Sequence, residues 1–161
     1  MIIEAGARHA AGIAAIWNLV IRDSAMTFNP VEKDENELVR MIVGRTDAGY
    51  GFLVAEEAGE VLGFVTYAQF RGGAGYARTM EHTVMLAEDA RGKGLGAALL
   101  TAVEAHARAR EVHSMIAGVS GENQAGIAFH ARQGYSEVAR VPEVGWKFGR
   151  WMDLVLMQKF L

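Results

Sequence analysis

Apolar residues recur along the chain at two spacings, and these spacings indicate the elements of structure. Ile13, Ile16, Trp17 and Val20 lie three or four residues apart, which places them on one face of a helix. Gly59 separates two strand-like runs and indicates a hairpin turn. The pattern predicts helices over 10–21, 34–43, 95–109 and 123–132, and strands over 1–4, 52–56, 61–70, 78–86, 114–119, 135–141 and 151–159. This order of helices and strands predicts an α/β fold.

Length and composition narrow the classes of protein to which the chain can belong. Its 161 residues contain no repeat, linker or low-complexity tract, so residues 1–161 are expected to form one domain. There is no cysteine, which excludes a disulfide framework and a thiolate metal site. A net charge of −3 without a basic block argues against a nucleic-acid partner. Because no signal peptide and no long apolar span are found, we expect a soluble cytoplasmic protein without a membrane partner.

A glycine-rich run directly follows the strand predicted over 78–86. It carries three glycines at alternate positions and consists of Arg91, Gly92, Lys93, Gly94, Leu95 and Gly96. Glycine lets the backbone approach a ligand closely and take a positive φ. The helix that follows presents free N–H groups and the positive end of its dipole to an anion. A strand, a glycine turn and a helix in this order predict a bound diphosphate.

Three phosphate-binding motifs compete for this run. A P-loop requires Ser or Thr after the lysine, and Gly94 occupies that position. A dinucleotide fingerprint requires G-x-G-x-x-G early in a βαβ unit, followed by an acidic residue, and the run does not match it well. Arg91, Gly94 and Gly96 match [Q/R]-x-x-G-x-[G/A]. The run therefore resembles the pyrophosphate loop of the GCN5-related N-acetyltransferases (GNAT), which bind acetyl-CoA.

A second region strengthens this resemblance and narrows it to a subgroup. Asn123, a short helix and the Gly134-Tyr135 pair are similar to the second signature of the GNAT superfamily. The chain also resembles the phosphinothricin and methionine sulfoximine/methionine sulfone N-acetyltransferases over nearly its whole length. The stretches that carry this likeness are 67–68, 70–71, 81–84, 91–96 and the tail 144–154.

The resemblance implies a fold and a binding site for acetyl-CoA. The expected fold is the α/β GNAT fold, a mixed central sheet of about seven strands flanked by about four helices and splayed where acyl-CoA enters. No metal is implied. The residues that the resemblance assigns to acetyl-CoA are Val84, Met85, Leu86, Arg91, Gly92, Lys93, Gly94, Leu95, Gly96, Ala97, Asn123 and Arg132. For Arg132, the alternative interpretation is a solvent-exposed cation on the helix that does not contact acetyl-CoA, and the sequence supports it nearly as well.

Acetyl transfer to an amine requires a base, because an amino acid's α-ammonium is mostly protonated at pH 7. The resemblance places the base at Glu81, acting through water; a surface carboxylate is the alternative. His130 occupies a position from which related enzymes protonate the departing thiolate, and imidazole can serve as acid or base. Packing without a proton role is equally compatible with the sequence. His82 is expected on the opposite face of the strand from Glu81, and Tyr135 is interpreted as a packing residue.

The resemblance also indicates an acceptor pocket and a dimer. The candidate acceptor-binding residues are Phe28, Arg71, Ala74, Gly75, Tyr76 and Arg78. Arg71 is the first choice for holding an α-carboxylate, because a guanidinium can bind it with two hydrogen bonds. The small, flexible Gly72–Gly75 loop departs from the family pattern, which implies a wider pocket or one closed by a partner subunit. The tail 144–154 is expected to help form a homodimer interface.

The sequence thus predicts an enzyme that moves the acetyl group of acetyl-CoA to the α-amino group of a small amino acid or analogue. Phosphinothricin, methionine sulfoximine and methionine sulfone are the acceptors that the resemblance implies, with resistance to herbicide-like or antibiotic analogues as a consequence. Two alternatives stay open. One is an acetyltransferase for another amine, such as a protein N-terminus or a polyamine. The other is a non-catalytic acyl-CoA-binding sensor that keeps the fold.

Overall fold

Seven strands form one sheet in the computed structural model, which describes residues 1–161. The strands are β1 (Ile2–Glu4), β2 (Phe52–Glu57), β3 (Glu60–Gln69), β4 (Thr79–Leu86), β5 (Ser114–Ser120), β6 (Ser136–Lys147) and β7 (Arg150–Phe160). Their spatial order is β1-β2-β3-β4-β5-β7-β6. Every neighbouring pair is antiparallel except β4 and β5, which are parallel.

Four helices cover the two faces of this sheet. They are α1 (Ala10–Asp23), α2 (Glu35–Asp47), α3 (Leu95–Arg108) and α4 (Gln124–Arg132). On one face, Ile13 and Leu38 from α1 and α2 pack with Phe64 of β3 in a buried apolar cluster. On the other face, Leu99 of α3 packs with Met115 of β5 in a second cluster. Each apolar helix stripe is therefore buried against the sheet, as its spacing predicts.

The predicted fold class is confirmed, and the elements differ from their predicted bounds at a few ends. The side chain of Asp34, the first residue of the predicted helix, accepts a hydrogen bond from the Glu37 N–H at 2.7 Å and is the N-cap of α2. That helix continues past its predicted end to Asp47. The flexible loop predicted over 72–75 runs into a short 3₁₀ turn at Ala74–Tyr76.

The largest difference lies in β6, which extends to Lys147 instead of ending at 141. The extension passes Pro142, a residue that cannot donate a ladder hydrogen bond and reads as the end of a strand. The register between β6 and β7 shifts between Val141 and Gly145, so the strand accommodates the proline in an irregular stretch and then resumes pairing. Residues 144–147 and 150–154 consequently form a hairpin.

The β4 and β5 strands pair over only part of their length. Their register runs from Thr79 opposite Ser114 to His82 opposite Ala117 and then stops, although both strands continue. Beyond this point β4 pairs only with β3, and β5 only with β7. The predicted splay of the sheet is therefore present between the carboxyl ends of the two parallel strands.

None of the helices is both long and apolar enough to cross a membrane.

Candidate active site

A cavity of about 470 Å³ occupies the splay between β4 and β5. Its wall is contributed by both strands, the glycine-rich run, α4 and the segment after α1. The lining residues are Val20, Met26, Thr27, His82, Thr83, Val84, Met85, Leu86, Arg91, Gly92, Gly96, Ala117, Gly118, Val119, Asn123, Ala125, Gly126, Phe129 and His130. A preformed cavity of ligand size thus lies where β4 and β5 separate.

The β4 edge that faces this cavity has unpaired backbone groups. Residues 83–86 pair with β3 on one side, from Thr83 opposite Thr66 to Leu86 opposite Gly63, and have no strand partner on the other. An exposed strand edge binds an extended chain that carries amide groups, because its N–H and C=O groups seek partners. The resemblance assigns Val84, Met85 and Leu86 to acetyl-CoA, and their free backbone groups are suited to the amides of its pantetheine arm.

The glycine-rich run lies at the carboxyl end of β4 and leads into α3. Gly92 and Gly94 have φ values of 73° and 79°, in the left-handed region that favours glycine. Gly94 is the N-cap of α3 and provides no side-chain hydrogen bond, so the N–H groups of the first turn are left without a cap. Arg91, Gly92 and Gly96 line the cavity. This geometry fits a diphosphate at the start of the helix.

The remaining residues of the run and Arg132 lie away from the cavity wall. Lys93, Gly94 and Arg132 are exposed, and neither Leu95 nor Ala97 lines the cavity. Their side chains therefore make no contact inside the cavity, although the main chain of the run can still contact a ligand at its mouth.

Asn123 lines the cavity and also has a structural role that the sequence did not reveal. Its side-chain oxygen accepts a hydrogen bond from the Gly126 N–H at 2.9 Å and caps α4. Only its NH₂ group is then free for a ligand. The same helix turn holds His130, whose Nδ1 lies 2.7 Å from the Gly126 carbonyl oxygen. Because a carbonyl only accepts, Nδ1 carries a hydrogen, and in the neutral ring Nε2 holds the lone pair.

His82 and His130 stack against each other, with ring centroids 5.1 Å apart. Both residues are buried, and neither ring nitrogen of His82 nor Nε2 of His130 has a partner in the protein. Burial and the neighbouring His130 lower the pKa of His82 to about 3. Burial also lowers the pKa of His130, and the bond to the Gly126 carbonyl only partly opposes this effect. Both rings are therefore neutral at pH 7.

Tyr135 lies edge-on to both imidazoles, and its hydroxyl is engaged elsewhere. It donates to Glu104 at 3.0 Å, and the same carboxylate accepts from Lys159 at 2.7 Å. Burial, followed by the nearby carboxylate, raises the pKa of the Tyr135 phenol above its usual value. The hydroxyl cannot deliver a proton to the cavity, which agrees with the packing role predicted for it.

Glu81 lies on the face of β4 opposite to His82. His82 and Met80 face the α3 side of the sheet, whereas Glu81 and Met85 face the α1 side, as strand alternation requires. Its carboxylate lies over Gly118 of β5, where an added Cβ would be 2.9 Å from Oε2. The side chain has no hydrogen-bond or ion-pair partner, and burial raises the pKa of its carboxyl group.. A carboxyl with a raised pKa is a stronger base once ionised.

The acceptor residues predicted from sequence are not part of the cavity wall. Arg71, Tyr76 and Arg78 are exposed together with Ala74 and Gly75, on the loop between β3 and β4. The Arg71 guanidinium lies 5.8 Å from the ring centroid of Tyr76 and has no carboxylate partner. Phe28 packs against Gly145 of β6.

The resemblance assigns residues 26–29 to the wall of the amino-acid pocket. Within this segment Met26 and Thr27 line the cavity, whereas Phe28 does not. Sequence reasoning missed Gly118 as a lining residue, although a glycine inside a buried strand indicates close approach of another group.

Comparison with known proteins shows likeness over the whole chain. Residues 13–135 match the model of the acetyltransferase (GNAT) family. An L-methionine sulfoximine/L-methionine sulfone acetyltransferase from Pseudomonas paraeruginosa is 40% identical over 96% of this chain and 91% of its own. The crystal structure of ribosomal-protein-alanine N-acetyltransferase from Brucella melitensis has a TM-score of 0.97 at 37% identity, covering 100% of this chain and 99% of that one. A phosphinothricin acetyltransferase from Sinorhizobium meliloti in complex with AcCoA has a TM-score of 0.95 at 30% identity, covering 100% and 88%.

The left-handed conformation of Gly94 yields a test of the diphosphate site. Gly94→Val is expected to abolish acetyl-CoA binding in calorimetry, because a β-branched residue is strained at a φ of 79° and displaces the first turn of α3. Gly72→Val is the matched control, since Gly72 has no positive φ and open space around its Cβ position. Unchanged affinity in a folded Gly94→Val variant would remove the assignment.

Proposed function

Because the chain belongs to the acetyltransferase (GNAT) family and is an N-acetyltransferase, we propose that its acceptor is a small amino acid or analogue. The acetyl group of acetyl-CoA is transferred to the α-amino group of this acceptor. Methionine sulfoximine, methionine sulfone and phosphinothricin define the acceptor class, on the strength of the names of the relatives. The observation that carries the proposal is the partnerless carboxylate of Glu81, which does not itself line the cavity but lies over Gly118, a residue that does.

Acetyl-CoA supplies the activated acetyl group, and the chain offers suitable groups along the whole length of the splay. The uncapped start of α3 and Arg91 would hold the diphosphate. The free β4 edge at Val84, Met85 and Leu86 would bind the amides of the pantetheine arm. The NH₂ group of Asn123 and the main chain of the glycine-rich run complete the proposed set.

Glu81 is proposed to accept the proton that the amine must lose, either directly or through water. Its raised pKa favours proton uptake, and it has no partner that would compete for the proton. Direct attack needs no covalent intermediate on the protein, and no cysteine is present to form one.

His130 is proposed to act as a hydrogen-bond or proton acceptor through Nε2. Its Nδ1–H is committed to the Gly126 carbonyl, and burial disfavours the imidazolium form. A neutral imidazole with this tautomer has no proton to give from Nε2. Protonation of a departing thiolate by His130 would require that the ring first take up a proton.

Arg71 remains the proposed partner for the α-carboxylate of the acceptor. It lies on the loop that leads into β4, and Glu81 is only two residues inside that strand. Its guanidinium is exposed and has no ion-pair partner in the chain, so it is free to bind a carboxylate. Ala74, Gly75, Tyr76 and Arg78 on the same loop are retained as secondary proposals, and so is Phe28 on the segment after α1.

A protein N-terminus is the second candidate acceptor. The observation that favours it is the likeness to the ribosomal-protein-alanine N-acetyltransferase from Brucella melitensis. An exposed acceptor loop with two arginines and no acidic residue over 70–78 favours a small anionic acceptor instead.

We also propose that two copies of the chain associate through the β6–β7 hairpin in the cytoplasm. Trp146 and Trp151 pack edge to face at 4.9 Å, and each is more than half exposed, at 54% and 57%. Phe148 at the turn is 52% exposed. Contiguous exposed aromatic surface of this kind is typical of an interface between proteins.

The dimer proposal is tested by light scattering of the purified chain. The wild type is expected to have twice the mass of one chain, and Trp146→Ser/Trp151→Ser to shift toward a single chain. Phe160→Ser is the control, since Phe160 is also exposed, at 66%, but lies at the far end of β7. A wild type that elutes as a single chain would contradict the proposal.

The acceptor proposal is tested by thiol release from acetyl-CoA with a panel of amines. Methionine sulfoximine, methionine sulfone, phosphinothricin, common amino acids, an alanine-terminated peptide and spermidine are compared. Turnover is expected with the amino-acid-like acceptors, and Arg71→Ala is expected to raise KM for the acids more than for their methyl esters. Turnover of the peptide alone would favour the second candidate. Binding of acetyl-CoA without any turnover would favour a sensor.

The role of Glu81 predicts a specific pH dependence. Its pKa is raised, so wild-type kcat/KM is expected to fall as the pH drops through the pKa of this carboxyl group. Glu81→Gln should lower kcat about 10²-fold at neutral pH and remove this acidic limb. Glu60→Gln is the control, because Glu60 is exposed and has no ion-pair partner. A Glu81→Gln variant with the wild-type profile would exclude this residue as the base.

A further inference from the structure

The segment that connects α1 and α2 forms part of the cavity wall without belonging to the sheet. Met26 and Thr27 line the cavity, yet residues 25–33 make no backbone–backbone hydrogen bond to any other part of the chain, and the Asn18 side chain holds only their far end, at Lys33. Ser24 bonds back to the last turn of α1 through its N–H and hydroxyl. An irregular wall segment of this kind needs another anchor if it is to keep one shape.

Lys147, at the end of β6, supplies a direct link between this segment and the sheet. Its Nζ donates to the carbonyl oxygens of Ser24 at 2.7 Å and Thr27 at 2.9 Å. Lys147 is only 4% exposed and has no carboxylate partner. The face of the Phe148 ring lies 4.9 Å from the ammonium. A buried ammonium is costly unless its donors are satisfied, so these carbonyls and the ring hold the charge in place.

Gly145 completes the contact two residues earlier on the same face of β6. The ring of Phe28 packs directly on its backbone, in space that a Cβ at this position would occupy. Lys147 thus holds the carbonyls of Ser24 and Thr27, and Gly145 packs against the ring of Phe28. The cavity-lining residues Met26 and Thr27 lie within this anchored stretch.

We infer that Lys147 is a positioning residue for the amine acceptor, because it fixes the segment 24–28 that forms one wall of the cavity. Lys147 does not itself line this cavity, so it acts through the segment. Arg91 and Gly92, which are proposed to hold the diphosphate of acetyl-CoA, make no contact with Lys147. The two hydrogen bonds from Lys147 to Ser24 and Thr27 form a clamp on this segment. The clamp therefore affects acceptor binding and leaves acetyl-CoA binding unchanged. The inference rests on the proposed function for the identity of the acceptor alone.

Steady-state kinetics with Lys147→Met test the inference. This variant keeps the length of the side chain and removes the charge and its donors. KM for the best amino-acid acceptor is expected to rise about ten-fold, since two charge-assisted hydrogen bonds are lost. KM for acetyl-CoA should stay within about two-fold of the wild type, and Lys147→Arg should recover part of the loss.

Lys159→Met is the matched control. Lys159 is also partly buried and donates at 2.7 Å, but to Glu104 on the other face of the sheet. This substitution is expected to lower thermal stability without changing KM for the acceptor. Equal increases in both KM values for Lys147→Met, or an unchanged acceptor KM, would overturn the inference.

Two further measurements separate the clamp from the identity of the acceptor. Amide hydrogen exchange over residues 24–29 should accelerate in Lys147→Met and not in Lys159→Met, whichever amine is the substrate. Unchanged exchange would overturn the clamp even if the acceptor proposal holds. If Lys147→Met does not fold, Gly145→Ala serves in its place, since the added methyl displaces Phe28 while Lys147 remains. The same selective rise in acceptor KM is then expected.

Discussion

The pairing of β4 with β5 ends after four residue pairs, and the rest of the site depends on where it ends. Each strand keeps its outer neighbour over its remaining length, so the opening weakens neither half of the sheet. The two strands are parallel, and their carboxyl ends therefore meet at the same edge. The glycine-rich run with α3 follows one strand and α4 follows the other. One interruption of the β4–β5 ladder thus brings an uncapped helix start, a free strand edge and His130 to a single cavity.

Both faces of β4 beside the cavity carry ionisable side chains in surroundings that disfavour charge. Glu81 is on one face and His82, stacked on His130, on the other. Burial raises the pKa of the carboxyl group and lowers the pKa of both imidazoles. A carboxylate that takes a proton from an incoming ammonium becomes neutral. A neutral imidazole that takes the same proton becomes charged, which these surroundings disfavour. Desolvation therefore favours Glu81 over either histidine as the final holder of the amine proton.

Local sequence signals predicted much of this architecture, and the parts that failed depend on contacts between distant residues. Asp34 marks its helix start because a cap acts within three residues, and the glycines at 92 and 94 mark a backbone conformation. The predicted end of β6 at residue 141 was wrong, since only pairing with β7 shows that the strand resumes after Pro142. The contact that fixes the position of Phe28 is with Gly145, far along the chain. No pattern within a short window can show such a contact.

The two outer strands of the sheet are poor templates for further strands. β1 has only three residues, and β6 is interrupted at Pro142, where an N–H is missing and the register shifts. A neighbouring copy therefore cannot extend the sheet by simple strand addition along either edge. The chain can consequently display a pair of tryptophans on its hairpin without presenting a continuous edge for fibril growth. The exposed surface of this hairpin thus favours side-chain packing over the open-ended stacking of strands.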